Sequence, residues 1–313
     1  MRQVYSYRNI GNNILAESKD SGDDEFATSF LRQLFHGQLG GGVLAAIKEQ
    51  AFLDESCTHD SAPLTIVGGY LFKPLNAEEF QNSWHKTLKP FATRGITHFH
   101  AAACAYPNDE FVDLLEEERK FLFREMVALI GRTAKLGFVI ELENSVYNAW
   151  RIDNPTVNSL VGSKYAACCF QSFMFIRHLL QKEDESMKIH YAFERIGQGK
   201  GKGHPFDRER DDLLRAIEAS PRLTDAFRYG GKSHFPKGEM HALEAADLLV
   251  WTYSSLYGPL NPYTKIARRI FANGGIPHRA TVVTPTALTY IATLNETHGI
   301  KENTYVGISV FKF

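Results

Sequence analysis

From Val43 onward the chain alternates short apolar runs with amphipathic stretches, and the pattern reads as a succession of strands and helices. Ala46 to Leu53 predicts a strand, and Leu64 to Phe72, beyond a polar turn, predicts its hairpin partner with a bulge or close backbone approach at Gly68-Gly69. A helix capped by Asn76 runs toward Leu88, and Ile96 to Ala101 follows as a short strand. Asn108 or Asp109 opens a long amphipathic helix through Phe121, Phe123, Met126 and Ile130. Then come a strand at Gly137 to Leu142, a helix at Gly162 to Leu180 and a strand at Met187 to Arg195. Past a Gly/Lys loop at Gly197 to Gly203, Arg208 to Glu218 reads as a helix, Leu223 to Arg228 as a short strand, and Glu239 to Tyr257 as a nearly all-apolar helix. A hairpin followed by alternating helix and strand implies an α/β fold, a mixed sheet covered by helices on both faces.

The two ends read differently. Residues 1–42 are polar, close on Gly40-Gly41-Gly42, and hold at most a short helix over Phe26 to Phe35, so they are expected to be a leader outside the core. Residues 259–313 add helices at Tyr263 to Phe271 and Thr286 to Leu294 and strands near Ala280 to Thr284 and Tyr305 to Phe311, a C-terminal α/β extension of the core at 43–258.

At 313 residues and 44% hydrophobic content the chain can bury a sizeable core, which excludes disordered and collagen-like classes. Lys plus Arg number 35 against 36 Asp plus Glu, so any nucleic-acid contact must come from a local patch and not from a global field. Cys57, Cys104, Cys168 and Cys169 lack zinc-pair spacing and read as reduced core thiols. No apolar run is long enough to span a membrane and no signal-peptide pattern opens the chain, so a cytoplasmic protein without membrane contact is expected.

Candidate chemistry lies in acids at strand ends and in one apolar helix. Asp54 and Glu55 end the first strand, Glu194 ends the strand at 187–195, and Asp247 sits among Ala245, Ala246, Leu248 and Leu249 with Glu244 one turn earlier. Buried carboxylates require hydrogen bonds or a cation to compensate them. Each also has an ordinary reading: Asp54 as a turn acid, Asp247 paired with an arginine, Glu194 bridged to Arg195 or a neighbour. Glu141 and Glu143 are weaker substitutes on a neighbouring strand. His98 and His100, two apart on the expected strand, would share a face and either hold a metal or phosphate or serve structurally. The loop at 197–204 offers amides and Lys200 and Lys202 to a phosphate, or is a plain connection. Gly230-Gly231-Lys232-Ser233 lacks the first glycine and the helix start of a nucleotide-binding loop, which excludes an NTPase.

Phe52-Leu53-Asp54-Glu55-Ser56, Val67-Gly68-Gly69-Tyr70-Leu71, His98-Phe99-His100-Ala101, Tyr191-Ala192-Phe193-Glu194-Arg195 and Leu243-Glu244-Ala245-Ala246-Asp247-Leu248-Leu249 together resemble the domain of unknown function 3800, over roughly residues 46–257. That resemblance implies a ribonuclease H-like sheet with acids on the first strand, a later strand and the last helix. Its site transfers to Asp54, Glu194 and Asp247, with Glu55, His100 and Glu244 beside them. Cys57, His98 and Glu244 depart from the family pattern, where a glycine, an acid and a glutamine are usual. The implied activity is that of a nuclease, a phosphodiesterase using Mg2+ or Mn2+ bound by Asp54, Glu55, Glu194 and Asp247, with His100 orienting water or leaving oxygen and Lys200 or Lys202 neutralising phosphate. The alternative is a ribonuclease H-like module of a defence or mobile-element system that binds nucleic acid or a protein without turnover. A shared ion requires the Asp54 and Asp247 carboxylates to lie within about 5 Å of each other.

Overall fold

The computed structural model describes residues 47–56, 62–183, 187–195, 204–257, 261–273, 276–294 and 308–309. It is an α/β protein built on one mixed sheet. The strands are β1 (Ile47–Ser56), β2 (Leu64–Phe72), β3 (Leu136–Glu143), β4 (Lys188–Glu194), β5 (Tyr229–Phe235), β6 (His278–Val282) and the two-residue β7 (Ile308–Ser309), in the order β5-β4-β1-β2-β3-β6-β7. β1, β2 and β3 form an antiparallel meander, whereas β4 is parallel to β1, β5 to β4 and β6 to β3. The C-terminal extension therefore continues the same sheet through β6.

The helices are α1 (Pro74–Leu88), α2 (Ala101–Ala105), α3 (Glu116–Thr133), α4 (Asn144–Asp153), α5 (Lys164–Leu179), α6 (Pro205–Ala219), α7 (Pro221–Ala226), α8 (His241–Ser254), α9 (Pro262–Asn273) and α10 (Pro285–Thr293). Period-two alternation splits the core into two layers. Phe52, Ile66 and Ala192 face α1, α3, α8 and α9, while Ala51, Leu53, Tyr191 and Phe193 face α4, α5, α6 and α10. All nine residues of β2 are buried, consistent with a strand covered on both sides. Cys104, Cys168 and Cys169 are free and buried, and Cys57 lies outside the described residues. Among the described residues no helix is long and apolar enough to cross a membrane.

Four local expectations are corrected. Ile96 to His100 is not a strand but an irregular segment leading into α2, because amides at Phe99 and at Ala101, where α2 begins, are spent on side chains of α8. The long helix starts at Glu116, not at Asn108 or Asp109. Asp109 adopts φ 47° and a 3-10 turn, and the Glu118 carboxylate accepts from Leu115 N–H at 2.9 Å to cap the true start. Asn76 is no cap: Pro74 opens α1 after Lys73, and Asn76 Nδ2 donates to Thr133 O at 3.1 Å. Leu223 to Arg228 is not a strand: it runs through the short helix α7 to Arg228 at φ 51°, and the strand is the Gly-containing run that follows, β5. Gly231 there adopts φ 127°, which absorbs the register shift between Ile189 and His190 on β4. The leader at 1–42 and the loop lysines Lys200 and Lys202 lie outside the described residues.

Candidate functional site

Register brings the acids together. Leu53 on β1 lies opposite Phe193 on the parallel β4, so Asp54 and Glu194 are the next residues on two adjacent strands and emerge at one sheet edge. Alternation sets their side: Phe52 and Ala192 belong to the layer beneath α8, and Asp54 and Glu194, two residues on, share that side. α8 packs on β1 and β2 across the same face and carries Asp247. Glu55 alternates to the opposite face, where Tyr165 O–H donates to its Oε2 at 3.2 Å.

Gly68 allows this approach. It is the β2 partner of Asp54, and a Cβ there would lie 2.8 Å from Phe138 O and 3.0 Å from Val250 Cγ1, on the turn of α8 after Asp247. A glycine at this register position lets the helix sit low enough to present Asp247 to the strand ends.

Burial dominates the electrostatics of these acids, with like charge beside it. Burial, then the negative charges of Glu55, Asp247 and Glu194, push the Asp54 carboxyl well above the usual carboxylate range. Burial pushes Glu194 up to about 7, with Asp247 and Glu244 adding to the rise and Lys237 opposing it. Burial also raises Asp247, against the nearby His100, the Ala101 amide and Lys237. Glu55 is pushed up to about 7 by burial and by Glu194, with Arg210 pulling it down. Yet Asp54, Glu55 and Glu194 are only part-buried, and Asp247 keeps 21% of its side-chain surface open.

The surroundings are polar. Asp247 Oδ2 accepts from Ala101 N–H at 2.9 Å, and His100 Nε2 stands 4.0 Å from Asp247 Oδ1. Arg210, 2% exposed, donates to Glu194 O at 2.8 Å and to Asp207 Oδ1 at 2.6 Å, and its guanidinium lies 5.2 Å from the Phe193 ring centroid. His98 parts from His100. With no strand to align them, His98 Nε2 meets Glu110 Oε1 at 3.2 Å and His100 turns to Asp247. Of the weaker candidates, Glu141 is engaged by the hydroxyls of Tyr253 and Tyr257, and Glu143 is exposed. Sequence reasoning missed Lys237, Arg210 and Tyr165. Arg210 and Tyr165 reach the acids only through folding. Lys237 was legible solely as a cation following a strand that was itself not recognised.

Asp54, Glu194 and Asp247 carry only oxygen donors, the type hard divalent cations take, and like charge among buried carboxylates is what such an ion relieves. Among the described residues, no three His, Cys, Asp or Glu side chains stand together closely enough to hold a metal ion as placed, so sharing one ion requires these side chains to reorient. No family model matches the chain, and neither does any curated protein or solved structure.

Proposed function

We propose that this protein is a metal-dependent phosphodiesterase, acting on nucleic acid as a nuclease. The observation that carries the reading is the convergence of Asp54, Glu194 and Asp247 on one sheet edge and one face, each raised above its ordinary carboxyl range by burial and like charge. The strand order β5-β4-β1-β2-β3, with an antiparallel meander and parallel flanking strands, supports a ribonuclease H-like reading of the core and membership in the domain of unknown function 3800.

Asp54, Glu194 and Asp247 are the residues that would hold Mg2+ or Mn2+, and the ion when bound supplies the Lewis acidity that phosphodiester hydrolysis draws on. Glu55 stands behind the site, tied to Tyr165, and adds negative charge from the other face. His100, beside Asp247 and 33% exposed, would orient water or the leaving oxygen. Lys237, exposed and close enough to act on both Glu194 and Asp247, provides positive charge for a phosphate at the sheet edge, the role the sequence assigns to Lys200 or Lys202.

The test is incubation of the purified chain with single- and double-stranded DNA and RNA in Mg2+ or Mn2+. Cleavage is expected to fall at least about 100-fold in Asp54→Asn, as for loss of a group central to charge stabilisation. Undiminished cleavage by that variant would remove Asp54 from the chemistry. A second reading, a ribonuclease H-like module that binds nucleic acid or a protein without turnover, is favoured by the near-neutral charge of −1. It predicts binding to one of the same substrates and no cleavage of any.

A further inference from the structure

Glu244 lies one turn before Asp247 on α8, is 4% exposed, and sits at the centre of a hydrogen-bonded knot. Its Oε2 accepts from Trp84 Nε1–H at 2.6 Å and from Phe99 N–H at 2.8 Å, and its Oε1 faces His241 Nδ1 at 2.8 Å. The three partners come from α1, from the irregular segment before α2 and from the first turn of α8. A second tier holds His241: its N–H donates to Gln81 Oε1 at 2.9 Å, Gln81 Nε2 donates to Glu239 O at 3.3 Å, and the His85 ring stacks at 6.0 Å and 25°. A carboxylate surrounded by donors accepts from all of them, which places the His241 proton on Nδ1.

The segment between Ile96 and His100 belongs to neither helix nor strand, so its course depends on what takes its amides. Two carboxylates one turn apart on α8 fix its end: Glu244 accepts from Phe99 N–H, and Asp247 accepts from Ala101 N–H at 2.9 Å. The residue between them is His100, whose Nε2 stands 4.0 Å from Asp247 Oδ1. We propose that Glu244 is a positioning residue of the candidate site, clamping the chain at Phe99 so that His100 and the Ala101 N–H are delivered to Asp247. The inference rests on the reading of Asp247 as a functional carboxylate.

Glutamine is the informative replacement. In Glu244→Gln the amide oxygen still accepts from Trp84 and Phe99, but its NH2 faces His241 Nδ1, which accepts only once the imidazole proton has moved to Nε2. Glu244→Gln therefore keeps the clamp with a switched tautomer. Glu244→Ala removes the clamp.

The experiment uses the full chain. Hydrogen exchange of the peptide covering 96–101 is expected to accelerate at least about 10-fold in Glu244→Ala and to stay within about 2-fold of the parent in Glu244→Gln, while β1 is unchanged in both. Ring-nitrogen NMR is expected to show His241 protonated at Nδ1 in the parent and at Nε2 in Glu244→Gln. If the chain cleaves nucleic acid, kcat falls in Glu244→Ala with KM little changed, and Glu244→Gln restores it. Unaltered exchange at 96–101 in Glu244→Ala, or equal damage from both variants, overturns the clamp. Should Glu244→Ala not fold, Glu244→Asp, too short to span to Phe99, takes its place with the same expected exchange. Absence of cleavage by the parent chain defeats the nuclease reading alone, since exchange and tautomer report on the clamp without activity.

Discussion

Replacing Glu194 by glutamine is expected to stabilise the metal-free protein at alkaline pH and to leave it unchanged at acid pH. Burial and the neighbouring Asp247 and Glu244 push the folded-state carboxyl of Glu194 from 4.5 up to about 7. The sign follows from linkage: a carboxyl that holds its proton more tightly when folded stabilises the protein fully below pH about 4.5, and that stability drains away as pH rises through about 7. At about 1.4 kcal/mol per pKa unit the displacement corresponds to roughly 3 kcal/mol, and the partial solvent access of Glu194 reduces this to about 1–2 kcal/mol. Glutamine carries no such charge, so Glu194→Gln should recover about 1–2 kcal/mol at pH 8, a few degrees in Tm for a chain of this size. Thermal unfolding of parent and variant in chelator, at about pH 4 and about pH 8, reads the effect directly. Adding Mg2+ or Mn2+ at pH 8 should then raise the parent's Tm more than the variant's, since the parent keeps all three carboxylates. A variant that is less stable at pH 8, or shifted equally at both pH values, would refute a Glu194 carboxylate strained by burial and like charge.

Further outcomes follow from packing and pairing. Gly68→Ala places a methyl 2.8 Å from Phe138 O and 3.0 Å from Val250 Cγ1, so chemical denaturation should show a loss of about 1–3 kcal/mol, with activity falling further than stability because α8 carries Asp247. Arg210→Met removes the donor to Glu194 O and the cation beside Asp207 and Glu55. It should cost about 3–5 kcal/mol of stability by urea unfolding and drive Glu55 to a still higher pKa, visible by carboxyl-carbon NMR titration.

Local patterning alone determined much of this protein. Period-two alternation and apolar runs located β1, β2, β3 and β4 within a few residues, and the apolar run around Asp247 marked α8. These strand and helix readings held because a central strand or a buried helix has one dominant way to hide its apolar side chains. The failures have a common cause in contacts made at a distance. Ile96 to Ala101 has the composition of a strand, yet Glu244 and Asp247, far downstream in the chain, take the Phe99 and Ala101 amides and leave the segment irregular up to α2. The run Gly230-Gly231-Lys232-Ser233 has the composition of a loop, yet β4 pairs with it and makes it a strand. Which face each carboxylate takes, that His98 and His100 part company, and that Arg210, Lys237 and Tyr165 stand around the acids are set by sheet register and helix placement. Neighbours in sequence do not encode these, because the partners meet only when the chain closes on itself.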